Sequence, residues 1–269
     1  GCYGYSHALG GFAGSHADYV RVPYADQGMF PIPDEVDDLT ALFVSDAAPT
    51  GWMGAELGGV RPGDVVAVWG AGAVGQLAAQ AAVLLGAAEV IVIDGIPERL
   101  DQAGTQTGIQ PIDYRTCDVS AELRERTGGR GADVCIEAVG MVSGSSSTPL
   151  YGYDQFKQER RLGTDRPLAV REAIFNCRKG GSVFVLGVFG GVVDKFPLGA
   201  IMNKGLTLRS AQQHGHRYIP MLLERMARGE LRTRQLATHV MPLAKAPHGY
   251  QLFKDRKDGC IRAVFEPGP

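Results

Sequence analysis

The sequence predicts an α/β protein with a doubly wound parallel sheet, on three observations. Short, continuously apolar runs recur from residue 64 onward, and helical segments lie between most of them. Because both faces of a strand in a parallel sheet are buried, such strands read as unbroken apolar runs. The third observation is a glycine-rich turn that joins the first apolar run to a helix, an arrangement typical of ligand-binding parallel sheets.

Residues 1–52 do not show this alternation of apolar runs and helical segments. The alternating run His16–Val22 predicts a strand, and the prolines that follow it predict an irregular segment. Acidic residues in the stretch 34–38 precede an apolar run from Leu39 to Ala48, which is typical of a helix start.

The strands predicted from apolar runs are, in chain order, Asp64–Trp69, Glu89–Asp94, Ala132–Val139, Ser182–Leu186 and Leu206–Arg209. Helices are predicted over Val74–Leu85, Pro97–Gln106 and Tyr218–Arg228, and the alternating run Cys260–Phe265 predicts a last strand. The segment Met141–Pro167, rich in Ser, Gly, Tyr and charged residues, does not fit the alternation of predicted strands and helices. We interpret it as a long exposed insertion.

Composition limits the classes of partner. The 269 residues are 45% hydrophobic and 21% charged, as in an ordinary globular protein long enough for one large or two modest domains. A net charge of −2 and the lack of a long basic run argue against nucleic acid or an anionic membrane as partner. A small-molecule partner is therefore expected.

Cysteine usage and the apolar runs point to a cytoplasmic protein. The five cysteines are far apart, with no Cys-x-x-Cys pair, which argues against a disulfide framework and a zinc knuckle. No apolar run reaches the ~18 residues of a membrane span, and the start lacks the features of a signal peptide.

The glycine turn predicts a dinucleotide site. Gly70, Gly72 and Gly75 form a G-x-G-x-x-G motif directly after the strand VVAVW and before a helix. Such glycines make the tight turn, admit a diphosphate to the backbone and let helix and strand pack closely. The helix N-terminus then offers free amides and a positive dipole end to the phosphates.

Asp94 ends the next strand, 19 residues after Gly75, close to the ~20-residue interval of the acid that binds the ribose hydroxyls. A carboxylate there repels a 2′-phosphate, so NAD is favoured over NADP. Arg99 has two interpretations, a contact with the adenosine ribose or a solvated helix face. The glycine-rich run from Leu186 to Gly191 follows another strand and faces the nicotinamide end or forms a plain turn.

Several motifs in order carry a family resemblance: the run Gly10–Pro23, then Val44–Gly51, the glycine turn, the strand VIVID, and finally Thr238–Tyr250 and Asp258–Cys260. Together they resemble the zinc-dependent medium-chain alcohol dehydrogenases. The version Ser45-Asp46 followed by Pro-Thr-Gly is most similar to the glutathione-independent formaldehyde dehydrogenase branch.

The resemblance implies a β-rich, GroES-like catalytic domain interrupted by a Rossmann NAD-binding domain. Residues 1–47 would end the first part of the catalytic domain, 48–209 would bind NAD, and 210–269 would return to the catalytic domain. By the same matching, Asp46 is a ligand of the catalytic zinc, and Thr50 is the catalytic residue against the nicotinamide. Taken by itself, Asp46 also reads as a helix cap or a surface residue.

The resemblance also assigns the cofactor contacts. Those residues are Gly70, Gly72, Ala73, Val74 and Gly75 at the diphosphate, Asp94 and Arg99 at the adenosine ribose, Val139 at the adenine, and Leu186, Gly187 and Val188 at the carboxamide. The reaction implied is hydride transfer from a small alcohol or aldehyde hydrate to NAD, with zinc as Lewis acid.

One part of the family pattern is missing. The first two zinc ligands and the four-cysteine structural zinc lobe belong to sequence that would precede Gly1. We therefore expect an N-terminally truncated chain that binds zinc only if those ligands are supplied. His214 and His216 form a possible metal pair, although ordinary polar contacts explain them as well.

Two alternatives stay open: a non-catalytic NAD-binding fragment, and a zinc-independent quinone or enone reductase, against which Asp46 and Asp94 both count. The family usually forms homo-oligomers, and Val183–Gly191 is the strand expected to form the contact.

Overall fold

The computed structural model describes residues 3–5, 7, 10–141, 149–160, 165–190 and 193–268. The strands are β1 (Val65–Trp69), β2 (Glu89–Asp94), β3 (Ile109–Asp113), β4 (Ala132–Glu137), β5 (Cys177–Val185), β6 (Thr207–Ser210), β7 (His239–Pro242) and β8 (Ala263–Glu266). The helices are α1 (Ala25–Gly28), α2 (Asp38–Ala41), α3 (Ala47–Gly58), α4 (Ala73–Leu84), α5 (Pro97–Gly104), α6 (Val119–Arg126), α7 (Pro149–Glu159), α8 (Leu168–Asn176), α9 (Leu198–Lys204), α10 (Gly215–Ala227) and α11 (Ala246–Asp255).

Six strands form one parallel sheet in the order β3-β2-β1-β4-β5-β6. After β3 the chain crosses to the far side of β1 and continues outward from β4. The strand order reverses there, so the carboxyl ends of β1 and β4 open a crevice between the two halves of the sheet. Trp69, the last residue of β1, pairs with Ile93 on one side and Glu137 on the other.

Each face of the sheet has its own apolar core, because successive side chains of a strand point to opposite faces. In β1, Val66 and Val68 belong to the cluster formed with α3, α4 and α10. Ala67 and Trp69 belong to the cluster on the other face, which includes side chains of α6 and α8. All four side chains are nearly or fully buried. The prediction of a doubly wound α/β fold is confirmed.

The C-terminal part forms a second, small sheet. β7 and β8 pair in parallel, with His239 opposite Ala263, and α11 connects them. Gly249 of α11 packs tightly against the ring of Phe265 on β8, where a side chain would not fit. None of the helices in the described part of the chain is long and apolar enough to cross a membrane.

Three expectations need correction. The alternating run His16–Val22 forms no strand: its side chains are exposed, Tyr19 by 94%, and no strand among the described residues pairs with it. β5 is an interior strand paired with both β4 and β6, so the edge of the sheet is β6 rather than Val183–Gly191. The insertion Met141–Pro167 is not simply exposed, since it contains α7 and the fully buried Asp154, although 142–148 and 161–164 lie outside the described residues.

Candidate dinucleotide crevice

The turn after β1 is the centre of the candidate site. Gly70 has a φ of +100°, and its amide donates a 2.7 Å hydrogen bond to the Ile93 carbonyl of β2. A Cβ atom on Gly75 would overlap the Gly70 carbonyl oxygen, so the first turn of α4 packs directly on the backbone of the turn. Both positions therefore require glycine.

The start of α4 is open. Gly72 precedes the helix in an extended conformation, and no side chain caps the helix. Within 4 Å of where a Cβ atom of Gly72 would stand, only Arg99 Nη1 approaches, at 3.9 Å. Because the first amides of a helix lack intrahelical partners and lie at its positive end, the turn offers room and donors that fit a diphosphate.

Asp94 lies at the end of β2 beside this turn. Its Oδ2 accepts a 2.7 Å hydrogen bond from the Ala71 amide, and its Oδ1 accepts hydrogen bonds from the amides of Gly95 and Ile96 at 2.7 and 3.0 Å. The residue is 9% exposed. Main-chain donors thus fix a carboxylate at the edge of the crevice, where it has acceptor capacity left for a hydroxyl.

Arg99, on the first turn of α5, also faces the crevice. Its Nη1 lies 4.0 Å from Asp94 Oδ2, and its side chain is 16% exposed. Burial lowers the pKa of Arg99, Asp94 opposes this effect, and the charge of Arg256 adds to it. Of the two interpretations from the sequence, the solvated helix face does not describe this side chain.

The pattern analysis missed Arg262, which precedes β8. Burial lowers the pKa of Arg262, and the charge of Arg99 lowers it further, whereas Asp46 raises it. Its guanidinium lies 5.1 Å from the centre of the Phe253 ring. Like charge thus disfavours the charged form of Arg262, in addition to the effect of burial. The only signal in the sequence was a cation inside the run Cys260–Phe265.

Two loops close the other side of the crevice. The Ala138 amide donates to the Trp69 carbonyl at 2.9 Å, which brings Val139 against the glycine turn. The loop after β5, containing Leu186, Gly187 and Val188, is joined to the loop after β4 by a 2.9 Å hydrogen bond from the Met141 amide to the Val188 carbonyl. The structure thus brings Val139 and the 186–188 run to the same edge of the sheet.

A buried carboxylate, also missed, connects these loops. Glu137 is fully buried at the end of β4, and its Oε1 accepts hydrogen bonds from the amides of Val139 and Gly140 at 2.8 and 2.6 Å. Gly187 packs against the other carboxylate oxygen so closely that a side chain would not fit. Burial raises the pKa of Glu137, although the amides of Gly140, Val139 and Gly187 oppose the effect. An acid ending a continuously apolar run was its sequence signal.

Asp46 and Thr50 form a second part of the site. The Thr50 hydroxyl donates a 2.9 Å hydrogen bond to Asp46 Oδ1, and the Thr50 amide donates to the Asp46 carbonyl, also at 2.9 Å. Asp46 is exposed and precedes α3. Gly51 lets α3 pack against the backbone of α4, and Leu186 contacts Gly54 of the same helix. The pair therefore lies at the start of a helix that contacts both α4 and the loop after β5.

In the described part of the chain, no group of three or more His, Cys, Asp or Glu side chains is placed to hold a metal ion. The His216 ring packs edge-on against Phe30, with the ring centres 5.5 Å apart. The described residues thus do not complete a zinc site around Asp46, since structural and catalytic zinc sites use at least three protein ligands.

Comparison with known proteins decides the family. A family model described as zinc-binding dehydrogenase matches residues 73–148, which include α4, β2 and Asp94. A zinc-type alcohol dehydrogenase-like protein of Bacillus subtilis is 35% identical over 98% of this chain and 69% of its own length. The chain belongs to the zinc-type alcohol dehydrogenase family.

Relatives in this alcohol dehydrogenase family support the same assignment. The glutathione-independent formaldehyde dehydrogenase of Pseudomonas aeruginosa is 42% identical over 52% of this chain and 36% of its own length. The solved alcohol dehydrogenase from Thermus sp. ATN1 superposes with a TM-score of 0.85 and 31% identity, over 98% of this chain and 69% of that one. The chain is a zinc-type alcohol dehydrogenase-like oxidoreductase that spans about two thirds of the Bacillus and Thermus proteins.

Proposed function

We propose that this chain binds NAD in the crevice between β1 and β4 and belongs to a dehydrogenase that oxidises a small alcohol or aldehyde hydrate. The observation that carries the proposal is the Asp94 carboxylate, hydrogen-bonded to the glycine turn at the open start of α4. A site for an anion and an acceptor for hydroxyl groups then lie next to each other, as the diphosphate and the ribose of an adenosine diphosphate group require.

Each residue has a part in holding the cofactor. The amides of Gly72, Ala73 and Val74 bind the diphosphate, and the positive charge of Arg99, whose Nη1 approaches Gly72, adds to the field of the helix. Asp94 binds the adenosine ribose hydroxyls, Val139 contacts the adenine side, and the 186–188 loop contacts the carboxamide. NAD supplies the hydride acceptor when bound, while the protein supplies orientation and electrostatics.

Selectivity for NAD over NADP follows from Asp94. A 2′-phosphate on the adenosine ribose would stand against a carboxylate that main-chain donors hold in place. Arg99 lies 4.0 Å from that carboxylate, so part of its charge is already balanced. We therefore propose NAD rather than NADP as the cofactor.

Thr50 is the proposed catalytic residue beside the nicotinamide. Its hydroxyl donates to Asp46, which orients the side chain, and the hydroxyl oxygen retains acceptor capacity. Asp46 is a proposed zinc ligand in the complete site. Because the described residues do not complete that site, we derive no step of the reaction through the metal.

The domain limits proposed are 1–47, 48–209 and 210–269. They are supported by α3, which begins at Ala47, and by β6, the last strand of the large sheet, which ends at Ser210. We also propose a homo-oligomer that forms through β6. That strand is a sheet edge, and Leu208 on it and Met202 on the preceding α9 are 40% and 74% exposed.

A non-catalytic NAD-binding role is the second candidate, because the described residues lack a complete set of metal ligands. One experiment separates the two. NADH binding to the chain is measured by calorimetry, and turnover is measured with NAD and either ethanol or formaldehyde, with and without added zinc.

NADH binding together with turnover supports the dehydrogenase. NADH binding without turnover under either condition leaves the binding role. A chain that does not bind NADH contradicts both, and turnover of an enone or quinone with NADPH would instead identify a reductase.

A further inference from the structure

A buried ion pair links the insertion to the loop after β5. Asp154 of α7 is fully buried and Arg171 of α8 is 2% exposed. Arg171 Nη1 donates to Asp154 Oδ2 at 2.6 Å, and its Nη2 lies 3.4 Å from Asp154 Oδ1. A buried ion pair needs further hydrogen bonds to offset the loss of water. The remaining N–H donors of Arg171 must therefore have partners.

The remaining donors of Arg171 bind main-chain carbonyl groups. Arg171 Nη2 donates to the Asp194 carbonyl at 2.9 Å, and Nε donates to the Lys195 carbonyl at 3.2 Å. A planar guanidinium thus holds a carboxylate on one edge and two successive carbonyls on the other, which fixes geometry more strictly than an ammonium does.

The side chain of Asp194 strengthens the same link. It accepts a hydrogen bond from the Tyr153 hydroxyl at 3.0 Å, and Lys157 donates to it as well. Tyr153 and Lys157 lie on α7 with Asp154, one turn apart on the helix. The insertion helix therefore contacts residues 194 and 195 through both charged and neutral groups.

The segment held at 194–195 continues the proposed carboxamide loop. Nearer to β5, Val188 is tied to Met141, and the Gly190 amide donates to Asp165 Oδ1 at 3.3 Å. Downstream, Phe196 packs against the core of the α8 face. Among the described residues between Gly190 and Phe196, the main chain at 194 and 195 is thus held by Arg171, and Asp154 of α7 supplies the carboxylate that neutralises the arginine.

We propose that the Asp154–Arg171 pair is a positioning device that holds residues 194 and 195, downstream of the proposed carboxamide loop, so that residues 186–188 receive the nicotinamide half of the cofactor. This inference rests on the proposed function. Binding affinity depends on how well a loop is ordered before the ligand arrives, so loss of the pair should weaken contacts to the nicotinamide alone.

The test compares NADH with ADP-ribose, which has the adenosine and diphosphate but no nicotinamide. The decisive variant is Asp154→Leu combined with Arg171→Met, because apolar replacement of a whole buried ion pair generally keeps a protein folded. We expect the Kd of NADH to rise about tenfold and that of ADP-ribose to stay unchanged, by calorimetry. The thermal midpoint of the variant should stay near that of the unmodified chain.

A matched control is Asp133→Leu with Arg178→Met. This ion pair lies at the opposite end of β4 and β5, where Asp133 precedes Val134 in the sheet and accepts a hydrogen bond from the Val65 amide. It should change neither Kd. The single variant Arg171→Lys retains a cation facing Asp154 but loses the paired hydrogen bonds to the two carbonyls. It should therefore also lower the affinity for NADH without changing that for ADP-ribose.

Equal weakening of both ligands, or unchanged NADH binding by the double variant or by Arg171→Lys, would overturn the positioning role. Unmodified chain that binds ADP-ribose as tightly as NADH would also overturn it. Unmodified chain that binds neither ligand contradicts the proposed function itself, and the positioning role with it.

Discussion

Oδ2 of Asp94 accepts a 2.7 Å hydrogen bond from the amide of Ala71, so the acid that ends β2 is joined to the turn that ends β1. The distance between the proposed sites for ribose and diphosphate is thereby fixed before the cofactor binds. This contact makes the acid a part of the turn in addition to its proposed role in selectivity, and experiments can separate the two roles.

Substitution of Asp94 should narrow the preference for NAD. Asp94→Ala removes the repulsion of a 2′-phosphate and the hydroxyl acceptor, so NADH affinity should fall by about 1–3 kcal/mol while NADPH affinity falls less or rises. Asp94→Asn retains an acceptor and isolates the effect of charge. Both affinities are measured by calorimetry.

Asp113→Ala is the control for this experiment, because Asp113 ends the neighbouring β3 but bonds to Arg115 on the surface. It should leave the ratio of the two affinities unchanged. Equal affinity of the unmodified chain for NADH and NADPH would refute the assignment of Asp94.

Gly75→Ala should open the turn. The added methyl group would overlap the Gly70 carbonyl oxygen, so α4 must move away from β1. We expect a loss of about 1–3 kcal/mol in the free energy of unfolding, measured with urea, and loss of detectable NADH binding.

Gly199→Ala on α9 provides the comparison, since the added methyl group would meet no atom of the described residues within 4 Å beyond its chain neighbours and the backbone of its own helix. Alanine should stabilise that helix by up to about 1 kcal/mol. A Gly75→Ala variant as stable as the unmodified chain would show that the tight packing is not required.

Stability should depend on pH through Glu137. Burial raises the pKa of Glu137 above its ordinary 4.5, so the folded state holds the proton to a higher pH than the unfolded state does. The contribution of Glu137 to the free energy of unfolding is therefore fully present below pH 4.5 and is lost as the pH rises through the raised pKa of the folded state.

Urea unfolding of the unmodified chain and of Glu137→Gln, from about pH 4.5 to about pH 7, measures this effect. The free energy of unfolding of the unmodified chain minus that of the variant should fall as pH rises. A difference that stays constant over that range would contradict the raised pKa.

The chain on its own should hold zinc poorly. Asp46 is exposed, and the described residues place no further His, Cys, Asp or Glu pair beside it. After incubation with zinc and dialysis, elemental analysis should find well under one zinc per chain, and Asp46→Asn should not change the value. Full occupancy would show that ligands exist which the described residues do not reveal.

An exposed sheet edge should mediate self-association. Leu208→Lys on β6 or Met202→Glu on α9 should shift the mass measured by light scattering toward the monomer, because charge on an edge strand opposes pairing. Met29→Glu, at an equally exposed position outside the sheet, should have no effect. An unmodified chain that is monomeric throughout would disprove the edge contact.

The strands of the large sheet were predictable where burial on both faces requires a continuous run of apolar residues, as in β1 and β2. β3 was missed because Ile109–Asp113 contains a proline and a glutamine, and their positions are exposed at that end of the sheet. The run His16–Val22 alternates like a strand but pairs with no strand in the described part of the chain, and a pattern in one segment carries no information about its neighbour in space.

The site was predictable where the backbone itself demands a residue type, as at Gly70 and Gly75. Arg262, Glu137 and the Asp154–Arg171 pair were missed for different reasons. Asp154 and Arg171 are buried charges that face each other from two helices, and no local pattern records such a partner. Glu137 and Arg262 stand in apolar runs, but the sequence alone does not show that the fold buries Glu137 and half-buries Arg262.

The order of strands in the sheet also governs when the crevice can exist during synthesis. Its two walls, the ends of β1 and β4, are neighbours in space but are separated by the whole of β2 and β3 in the chain. A nascent polypeptide that has emerged only as far as β3 presents the glycine turn with one wall missing. Binding of the proposed cofactor would therefore require that Glu137 and the loop beyond it have left the ribosome.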